Sequence, residues 1–250
     1  MKCVNIWSGY RCYQVEVPFH CHKGDWLWLH RQLQSLPEQD RYWVAEKYSD
    51  LYLETCNQVE VPHQKWNMAR RLCNIKLRRL GQRVRDKMRS KILIDYFIKP
   101  ALDYLAIEAQ NINGKNSRQF MLAVAAQESH CGEYFKQLGN VERGGEGIWQ
   151  VEPPTRDDLY KNVLQYRKNL MKLVSDFCTP MCQYPLIQLP MYNCAIARLC
   201  VYRYKEAMPE FGARDQMWEL YKKRYNSRQG AAKKEEWDDN WQRFVEGVEI

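Results

Sequence analysis

The chain of 250 residues is long enough for one large domain or two ordinary ones, each able to bury its own hydrophobic core. It carries 38 Lys and Arg against 30 Asp and Glu, and it is rich in aromatics, with 9 Trp and 16 Tyr. No stretch approaches the roughly 20 apolar residues of a membrane-spanning helix, and residues 1–7 lack the apolar run of a signal peptide. We therefore expect no transmembrane segment and no signal peptide.

The 10 cysteines follow neither a disulfide scaffold nor a zinc-finger spacing. His20-Cys21-His22, with Cys12 nearby, has histidines and cysteines but no C-x-x-C or H-x-x-x-H pattern. Cys178 and Cys182 stand four residues apart, a spacing that also does not match a zinc site. We therefore expect reduced, buried, structural cysteines, no metal site and no cofactor.

The positive charge is concentrated in the first third of the chain. Residues 1–91 contain 17 basic against 9 acidic side chains, whereas residues 92–250 contain 21 of each. Residues 65–91 alone hold 11 basic side chains and one acid, Asp86. This shift predicts a domain junction near residue 90. A basic, aromatic-rich helical module is expected over residues 1–90 and a second helical domain over residues 91–250.

The N-terminal module begins with valines that alternate with polar residues from Arg11 to Pro18, which predicts a strand. Asp25 is a plausible N-cap for an aromatic helix that continues through Leu33. A second helix is expected after Pro37, and a third after Pro62. Apolar residues of the third helix recur every three or four positions and predict one buried stripe: Trp66, Ala69, Cys73, Leu77, Leu80, Val84 and Met88.

Arginine and lysine fill the other faces of this third helix. Such a surface favours sequence-independent binding of a polyanion through release of counterions. Nucleic acid, an anionic glycan, an anionic membrane or an acidic protein would each fit, and a solvated helix face is the alternative. The candidate polyanion-binding residues are Arg70, Arg71, Lys76, Arg78, Arg79, Arg83 and Arg85.

The second segment reads as helical almost throughout, so the predicted class is mainly α. A helix is expected from Ile92 to Ala106, kinked at Pro100, and another from Arg118 to Ser129 with Ser117 as its N-cap. Residues 139–155 contain glycines and prolines typical of a loop. Further helices are predicted from Arg156 to Phe177, Leu186 to Lys205, Ala213 to Tyr225 and Glu235 to Val248.

Glu128 is the most unusual acid in the sequence, because it ends a helix whose other residues are mostly apolar. Burial of a carboxylate without a partner costs several kcal/mol or neutralises the group. A carboxyl that is neutral near pH 7 is what general acid catalysis requires. Ser129 is placed to steady either the carboxyl or the backbone turn. A solvent-facing Glu at a helix end is the alternative interpretation.

Several short motifs follow Gln127-Glu128-Ser129 in order: Gly147-Ile148-Trp149-Gln150, Glu152-Pro153-Pro154-Thr155, Met191-Tyr192-Asn193 and Lys222-Lys223-Arg224-Tyr225-Asn226. Their order and spacing resemble the lytic transglycosylase and goose-type lysozyme superfamily, and within it a divergent set of bacteriophage proteins. The resemblance covers roughly residues 90–245 and implies a lysozyme-like helical domain. The N-terminal module is only faintly similar to small phage proteins that have no assigned activity.

The resemblance implies roles for individual residues. Glu128 would protonate the glycosidic oxygen between N-acetylmuramic acid and N-acetylglucosamine and then act as the base of the return step. Ser129, Gln150, Tyr192 and Asn193 would contact the substrate, with Tyr192 orienting Glu128 or the N-acetyl group. Trp149 is expected to pack in the core or, as an alternative, to stack against sugar.

Two features depart from this pattern. Cys194 follows Tyr192-Asn193 where active relatives have glycine. Three acids, Glu133, Glu142 and Glu146, lie in the loop after Glu128, and any of them is a candidate second carboxylate of the kind that hydrolytic lysozymes use.

The resulting hypothesis is a virion-associated phage enzyme that cleaves peptidoglycan glycan strands and is located in the virion, or in the host cytoplasm before assembly. Other virion proteins are expected partners. The alternatives are a catalytically inactive lysozyme-like virion protein with a structural or interaction role, and a nucleic-acid- or polyanion-binding protein that acts through the basic helix 65–91.

Overall fold

The structure is a computed structural model that describes residues 1–8, 11–59, 62–136, 144–179, 181–226 and 230–250. The protein is mainly α, as predicted, with a two-stranded sheet as the only sheet among these residues. The chain divides into two compact units, Met1–Arg85 and Asp86–Ile250. This division falls slightly before the predicted junction near residue 90.

The N-terminal unit begins with an antiparallel hairpin. Strand β1, Lys2–Ser8, pairs with strand β2, Arg11–Val17, in a register that places Val4 opposite Val15. The β2 strand was predicted and β1 was not. Val15 and Val17 are buried, so the alternation that predicted β2 reflects one face turned toward the core.

Three helices complete this unit: α1, Trp26–Gln34; α2, Glu38–Gln58; and α3, Pro62–Leu93, which continues into the second unit. All three were predicted. Ala69, Cys73 and Leu77 of the predicted α3 stripe are buried against β2, α1 and α2 residues. The two ends of the stripe differ from the prediction, because the side chains of Trp66 and Met88 are half exposed.

The C-terminal unit starts with the last turns of α3. A π-helical turn at Ile94–Ile98 follows and leads into α4, Lys99–Leu105. Pro100 is the second residue of α4, which directly follows the π turn, and as a proline it has no N–H to donate to the preceding turn. The irregularity predicted at Pro100 is therefore a π turn just before it.

Helix α5, Lys115–Ser129, is longer than predicted, and its N-cap is Gly114. The predicted cap, Ser117, is wrong, because it lies inside the helix and is fully buried there. Residues 120–126 are buried on all sides and form the centre of the core. They pack against the π turn Ile94–Ile98 and against the C-terminal helices.

The remaining helices are α6, Pro153–Asn162; α7, Lys168–Asp176; α8, Pro185–Gln188; α9, Pro190–Tyr202; α10, Arg214–Arg224; and α11, Lys234–Asn240, which ends in a π turn at Trp241–Val245. The helix predicted from Arg156 to Phe177 is two helices, separated by a 3-10 turn at Leu164–Tyr166. The helix predicted from Leu186 is also two, because α9 restarts at Pro190. Among the described residues, no helix is both long and apolar enough to cross a membrane.

The cysteines are less uniformly buried than predicted. Cys56, Cys73, Cys131, Cys194 and Cys200 are buried, but Cys3 and Cys12 are exposed on the hairpin. A two-stranded ribbon has one face in solvent, and alternation places both side chains on that face. Within the described ranges, no group of three or more His, Cys, Asp or Glu side chains is arranged to hold a metal ion.

Candidate active site

A cleft of about 1070 Å³ opens in the C-terminal unit. It is formed by the end of α5, the turn after residue 144, the start of α6, and residues of α9, α10 and α11. The side chains most relevant to chemistry are Glu128, Gln150, Glu152, Tyr221, Tyr225 and Glu236. Two of the residues predicted from the sequence, Glu128 and Gln150, therefore line the same cleft.

Glu128 is the penultimate residue of α5, where the helix reaches the cleft. Its Oε1 accepts a hydrogen bond of 2.7 Å from the Tyr221 hydroxyl. Burial raises the pKa of Glu128 to about 7, whereas the Tyr221 hydrogen bond lowers it; the negative charge of Glu152 raises it further, and Lys222 lowers it. The carboxyl is thus divided between its acid and base forms near neutral pH, which suits a group that must both give and take a proton.

Tyr221 holds one oxygen of this carboxyl in place. It is a fully buried residue of α10, and its ring stacks on Trp237 at 5.1 Å and Tyr225 at 6.0 Å. Burial and the neighbouring Glu128 raise the pKa of Tyr221, so its hydroxyl remains a donor. Since Tyr221 occupies Oε1, the other oxygen, Oε2, is the one left to transfer a proton.

Tyr221 was not predicted from the sequence. The spacing of Trp218, Tyr221 and Tyr225 does place three aromatic rings on one face of α10. Such a stripe normally indicates core packing, and packing is also what these rings do. The hydroxyl contact with Glu128, 93 residues away in the sequence, follows only from the tertiary fold.

The turn Gly147–Gln150 forms part of the opposite wall and is fixed by three side chains. Asn193 accepts from the Trp149 N–H at 3.0 Å and donates to the Glu146 carbonyl at 3.1 Å. The Ser129 hydroxyl donates to the Ile148 carbonyl at 2.6 Å. The Tyr225 hydroxyl donates to the Trp149 carbonyl at 2.6 Å. These bonds tie the turn to α5, α9 and α10.

Three predicted substrate contacts therefore lie outside the cleft lining. Ser129 and Asn193 are fully buried and bind the backbone of the turn. Tyr192 is also buried, and its hydroxyl donates to the Tyr160 hydroxyl at 3.3 Å rather than to Glu128. Of the two roles considered for Ser129, the structure shows contact with the backbone turn.

The other motif residues also have structural contacts. Trp149 is fully buried and donates from Nε1 to the Met121 carbonyl at 2.8 Å, so it packs in the core and does not stack in the cleft. The Lys222 ammonium donates to Asn226 Oδ1 at 2.7 Å and to the Gly230 carbonyl at 2.8 Å. Lys222 thereby contacts two residues of the cleft lining, Asn226 and Gly230.

The candidates for a second carboxylate are placed differently from the prediction. Glu133 lies outside the cleft lining and pairs with Arg89 at 3.6 Å. Glu146 bridges by its backbone to Val151 and is also absent from the lining. Glu142 lies outside the described residues. The acids that do line the cleft beside Glu128 are Glu152 and Glu236.

Most of the predicted polyanion-binding residues remain exposed on α3. Arg71, Lys76, Arg78, Arg79 and Arg83 are exposed. Arg70 donates two hydrogen bonds, of 2.6 and 2.8 Å, to the carboxylate of Asp25. Arg85 donates to the side chain of Gln82 at 3.1 Å. The single acid of the basic stretch, Asp86, is fully buried and bound by Arg243 at 3.1 Å.

The raised pKa of Glu128 predicts a pH-dependent stability. The pKa is about 7 in the folded protein against an ordinary value of 4.5, so the folded state binds the proton more tightly. The associated stabilisation is complete below pH 4.5 and is lost as pH rises through 7. At 1.36 kcal/mol per tenfold in proton affinity, the loss is roughly 3 kcal/mol.

We expect Glu128→Gln to remove this loss, because glutamine does not ionise. Urea unfolding at pH 5 and pH 8 measures it, and the stability of the variant relative to wild type should increase by about 2.5 kcal/mol between the two pH values. The same difference at both pH values would show that Glu128 titrates normally.

No protein-family model matches the chain, and no curated protein or solved structure is significantly similar to it. Its function is therefore inferred from the residues of the cleft themselves.

Proposed function

We propose that the C-terminal unit is a lysozyme-like domain that cleaves the bond between N-acetylmuramic acid and N-acetylglucosamine in peptidoglycan, as a lytic transglycosylase. The observation that carries this proposal is the Glu128 carboxyl, which is half-buried, accepts a hydrogen bond from Tyr221 and has a pKa of about 7 at a cleft of about 1070 Å³. The order of the motifs around Glu128, Gly147–Gln150 and Tyr225 supports the same assignment.

In the first step, protonated Glu128 donates its proton from Oε2 to the glycosidic oxygen as the bond to C1 of the muramyl sugar breaks. The N-acetylglucosamine side leaves as an alcohol, and the substrate's own N-acetyl group stabilises the positive charge at C1. In the second step, the Glu128 carboxylate takes the proton from the muramyl 6-hydroxyl, whose oxygen attacks C1. The product is a 1,6-anhydro sugar, Glu128 is protonated again, and no water is consumed.

Tyr221 and the turn Gly147–Gln150 are the supporting parts of this mechanism. Tyr221 fixes Oε1 and so orients the proton on Oε2. Gln150 lies in the cleft lining, and its backbone is in the left-handed region with a φ of 46°. Its side-chain amide donates to the Gly147 carbonyl at 2.6 Å. That contact holds Gln150 in a single orientation at the sugar-binding wall.

Product analysis tests the reaction class. Purified peptidoglycan is incubated with the protein between pH 4 and 8, and the released fragments are identified by mass spectrometry. A lytic transglycosylase gives 1,6-anhydro ends. Reducing ends would instead indicate hydrolysis with Glu152 or Glu236 holding the water, and no release at any pH would refute glycan cleavage.

The phage resemblance extends the proposal to the setting in which the enzyme acts. We propose that the protein is carried in the virion, where other virion proteins are its neighbours, and that it opens the glycan layer during cell entry. Detection of the chain in purified particles by mass spectrometry tests this assignment. Its absence from particles, together with cytoplasmic accumulation, would contradict it.

Tyr221→Phe tests the positioning role of Tyr221. The hydrogen bond from Tyr221 lowers the pKa of Glu128, so its removal should raise that pKa above about 7. We expect kcat to fall about tenfold and the alkaline limb of the pH–rate profile to move to higher pH.

Tyr104→Phe is the matched control, since Tyr104 also donates to a carboxylate, Asp176, at 2.8 Å but lies outside the cleft lining. This control should leave the pH profile unchanged. A Tyr221→Phe enzyme with a lower rate but an unshifted profile would mean that Tyr221 acts only through packing.

A further inference from the structure

The N-terminal unit contains a second cavity, of about 560 Å³, which falls within the ~300–1,000 Å³ typical of small-ligand sites. Two kinds of side chain are prominent in its lining, which also contains His20, Cys21, His22, Leu53, Cys56 and Asn57. Lysines contribute positive charge, and aromatic rings contribute flat apolar surface: Lys2, Lys23 and Lys65, and Phe19, Tyr52 and Trp66. All lie within residues 1–85, so the site belongs to this unit alone.

The three lysines come from β1, from the turn before α1, and from α3. None of them forms an ion pair with a described residue, and no described Asp or Glu lines the cavity. Asp25 is close to Lys23 in the sequence, but it forms its ion pair with Arg70, at 2.6 Å. Three like charges converge here without compensation, which favours an anionic ligand.

The aromatic side of the cavity is a preformed stack. The rings of Tyr48 and Tyr52 lie 6.2 Å apart at 15°, and those of Tyr52 and Trp66 lie 6.2 Å apart at 26°. Tyr48 and Tyr52 are buried, whereas the side chain of Trp66 is 51% exposed. Trp66 thus packs on a buried tyrosine and extends the stack toward the solvent.

The Lys65 ammonium lies over the Trp66 ring, 5.8 Å from its centroid, so the positive charge and the aromatic surface are adjacent. We propose that this cavity binds a nucleotide unit, with the base stacked in the Trp66–Phe19 region and the phosphate held by Lys2, Lys23 and Lys65. Stacking on aromatic rings combined with lysine contacts to phosphate is how proteins bind single-stranded nucleic acid without sequence preference. Asn57, which also lines the cavity, supplies a polar group to a base edge. The ligand is either a free nucleotide or a nucleotide of a single strand.

Other anions fit this combination less well. An anionic glycan or a lipid headgroup satisfies the lysines but has no planar ring to continue the Tyr48–Tyr52–Trp66 stack. The inference does not depend on glycan cleavage, because none of its residues belongs to the cleft of the C-terminal unit. It also differs from binding by the exposed α3 arginines, which have no such aromatic stack.

Trp66→Ala and Trp66→Phe test the stacking contact. Binding of a fluorescein-labelled oligothymidylate to the full chain is measured by fluorescence anisotropy. We expect Trp66→Ala to weaken binding about tenfold or more, and Trp66→Phe to retain most of the affinity. Trp43→Ala is the matched control, because Trp43 is a comparably exposed tryptophan on α2 outside the cavity, and it should bind as wild type does.

Lys65→Ala tests the phosphate contact and should reduce the dependence of log affinity on log salt by about one unit. Competition with thymidine monophosphate distinguishes a site for a free nucleotide from a site for a nucleotide within a single strand. Effective competition identifies a free-nucleotide site, and competition only by oligonucleotide identifies a single-strand site; both support the proposal.

Three results would overturn the proposal: no detectable binding of either probe, equal affinities of the Trp66→Ala and Trp43→Ala variants, or binding of heparin as tight and as dependent on Trp66 as that of the oligonucleotide. A loss confined to Arg71→Ala and Arg79→Ala would assign polyanion binding to the exposed face of α3 instead.

Discussion

Glu128→Gln should abolish release of anhydro-muropeptides from peptidoglycan while the protein stays folded. Glutamine keeps the size of the side chain and an oxygen that accepts the Tyr221 hydrogen bond, but it carries no transferable proton. General acid–base catalysis contributes about 10²–10⁴-fold to such reactions, and here one carboxyl serves both steps. We therefore expect a loss of about that size or larger, measured as the initial rate of fragment release.

Glu219→Gln provides the control for this variant. Glu219 is an exposed residue of α10 outside the cleft lining, so the same chemical change there should leave the rate unchanged. Circular dichroism and the urea midpoint establish that both variants are folded. Full activity of Glu128→Gln would rule out the proposed mechanism, even if the wild-type protein cleaves glycan by another route.

Gly147→Ala should displace the turn Gly147–Gln150, whose last residue lines the cleft. Gly147 has a φ of 77°, in the left-handed region, and an added Cβ would collide with the Leu186 carbonyl oxygen and lie 2.5 Å from Asn193 Oδ1. Backbone strain and forced displacement together cost about 3 kcal/mol. The turn must move to relieve the clash, and a shift of about 1 Å at a positioning element lowers activity by roughly 100-fold.

Gly212→Ala separates the effect of backbone strain from the effect of the steric clash. Gly212 has a similar φ of 83°, but an added Cβ there would meet nothing within 4 Å. We expect a loss of about 1 kcal/mol from strain alone, with activity unchanged. If the two variants lose equal stability and both remain active, the close packing around Gly147 has no functional consequence.

The helices with regular apolar spacing were the ones that the sequence predicted well. The α3 stripe at Ala69, Cys73 and Leu77 is buried as expected. The errors occurred where local signals compete. Ser117 has the chemistry of an N-cap, but α5 begins before it because core packing extends the helix past the local cap signal.

The candidate site was predictable only in part, for a similar reason. Glu128 could be selected because an acid at the end of an apolar helix is visible in the sequence, whereas Gln150 was selected through the resemblance of its motif. Tyr221 could not be selected, because its contact with Glu128 joins helices that are distant in the sequence. Ser129 and Asn193 were predicted as substrate contacts, but both bind the backbone of the turn. Whether a buried polar group binds backbone or substrate depends on which partner lies opposite it.

The buried pair of Asp86 and Arg243 bears on how the two units can be exchanged between genes. The last turns of α3 belong to the C-terminal unit, since Asp86 pairs with Arg243 and Arg89 donates to the His130 carbonyl at 3.1 Å. A recombination joint at residue 91 would remove both contacts. A fusion that preserves the C-terminal unit must therefore be joined within helix α3, at or before Asp86, which restricts the partners that evolution or a protein engineer can attach upstream.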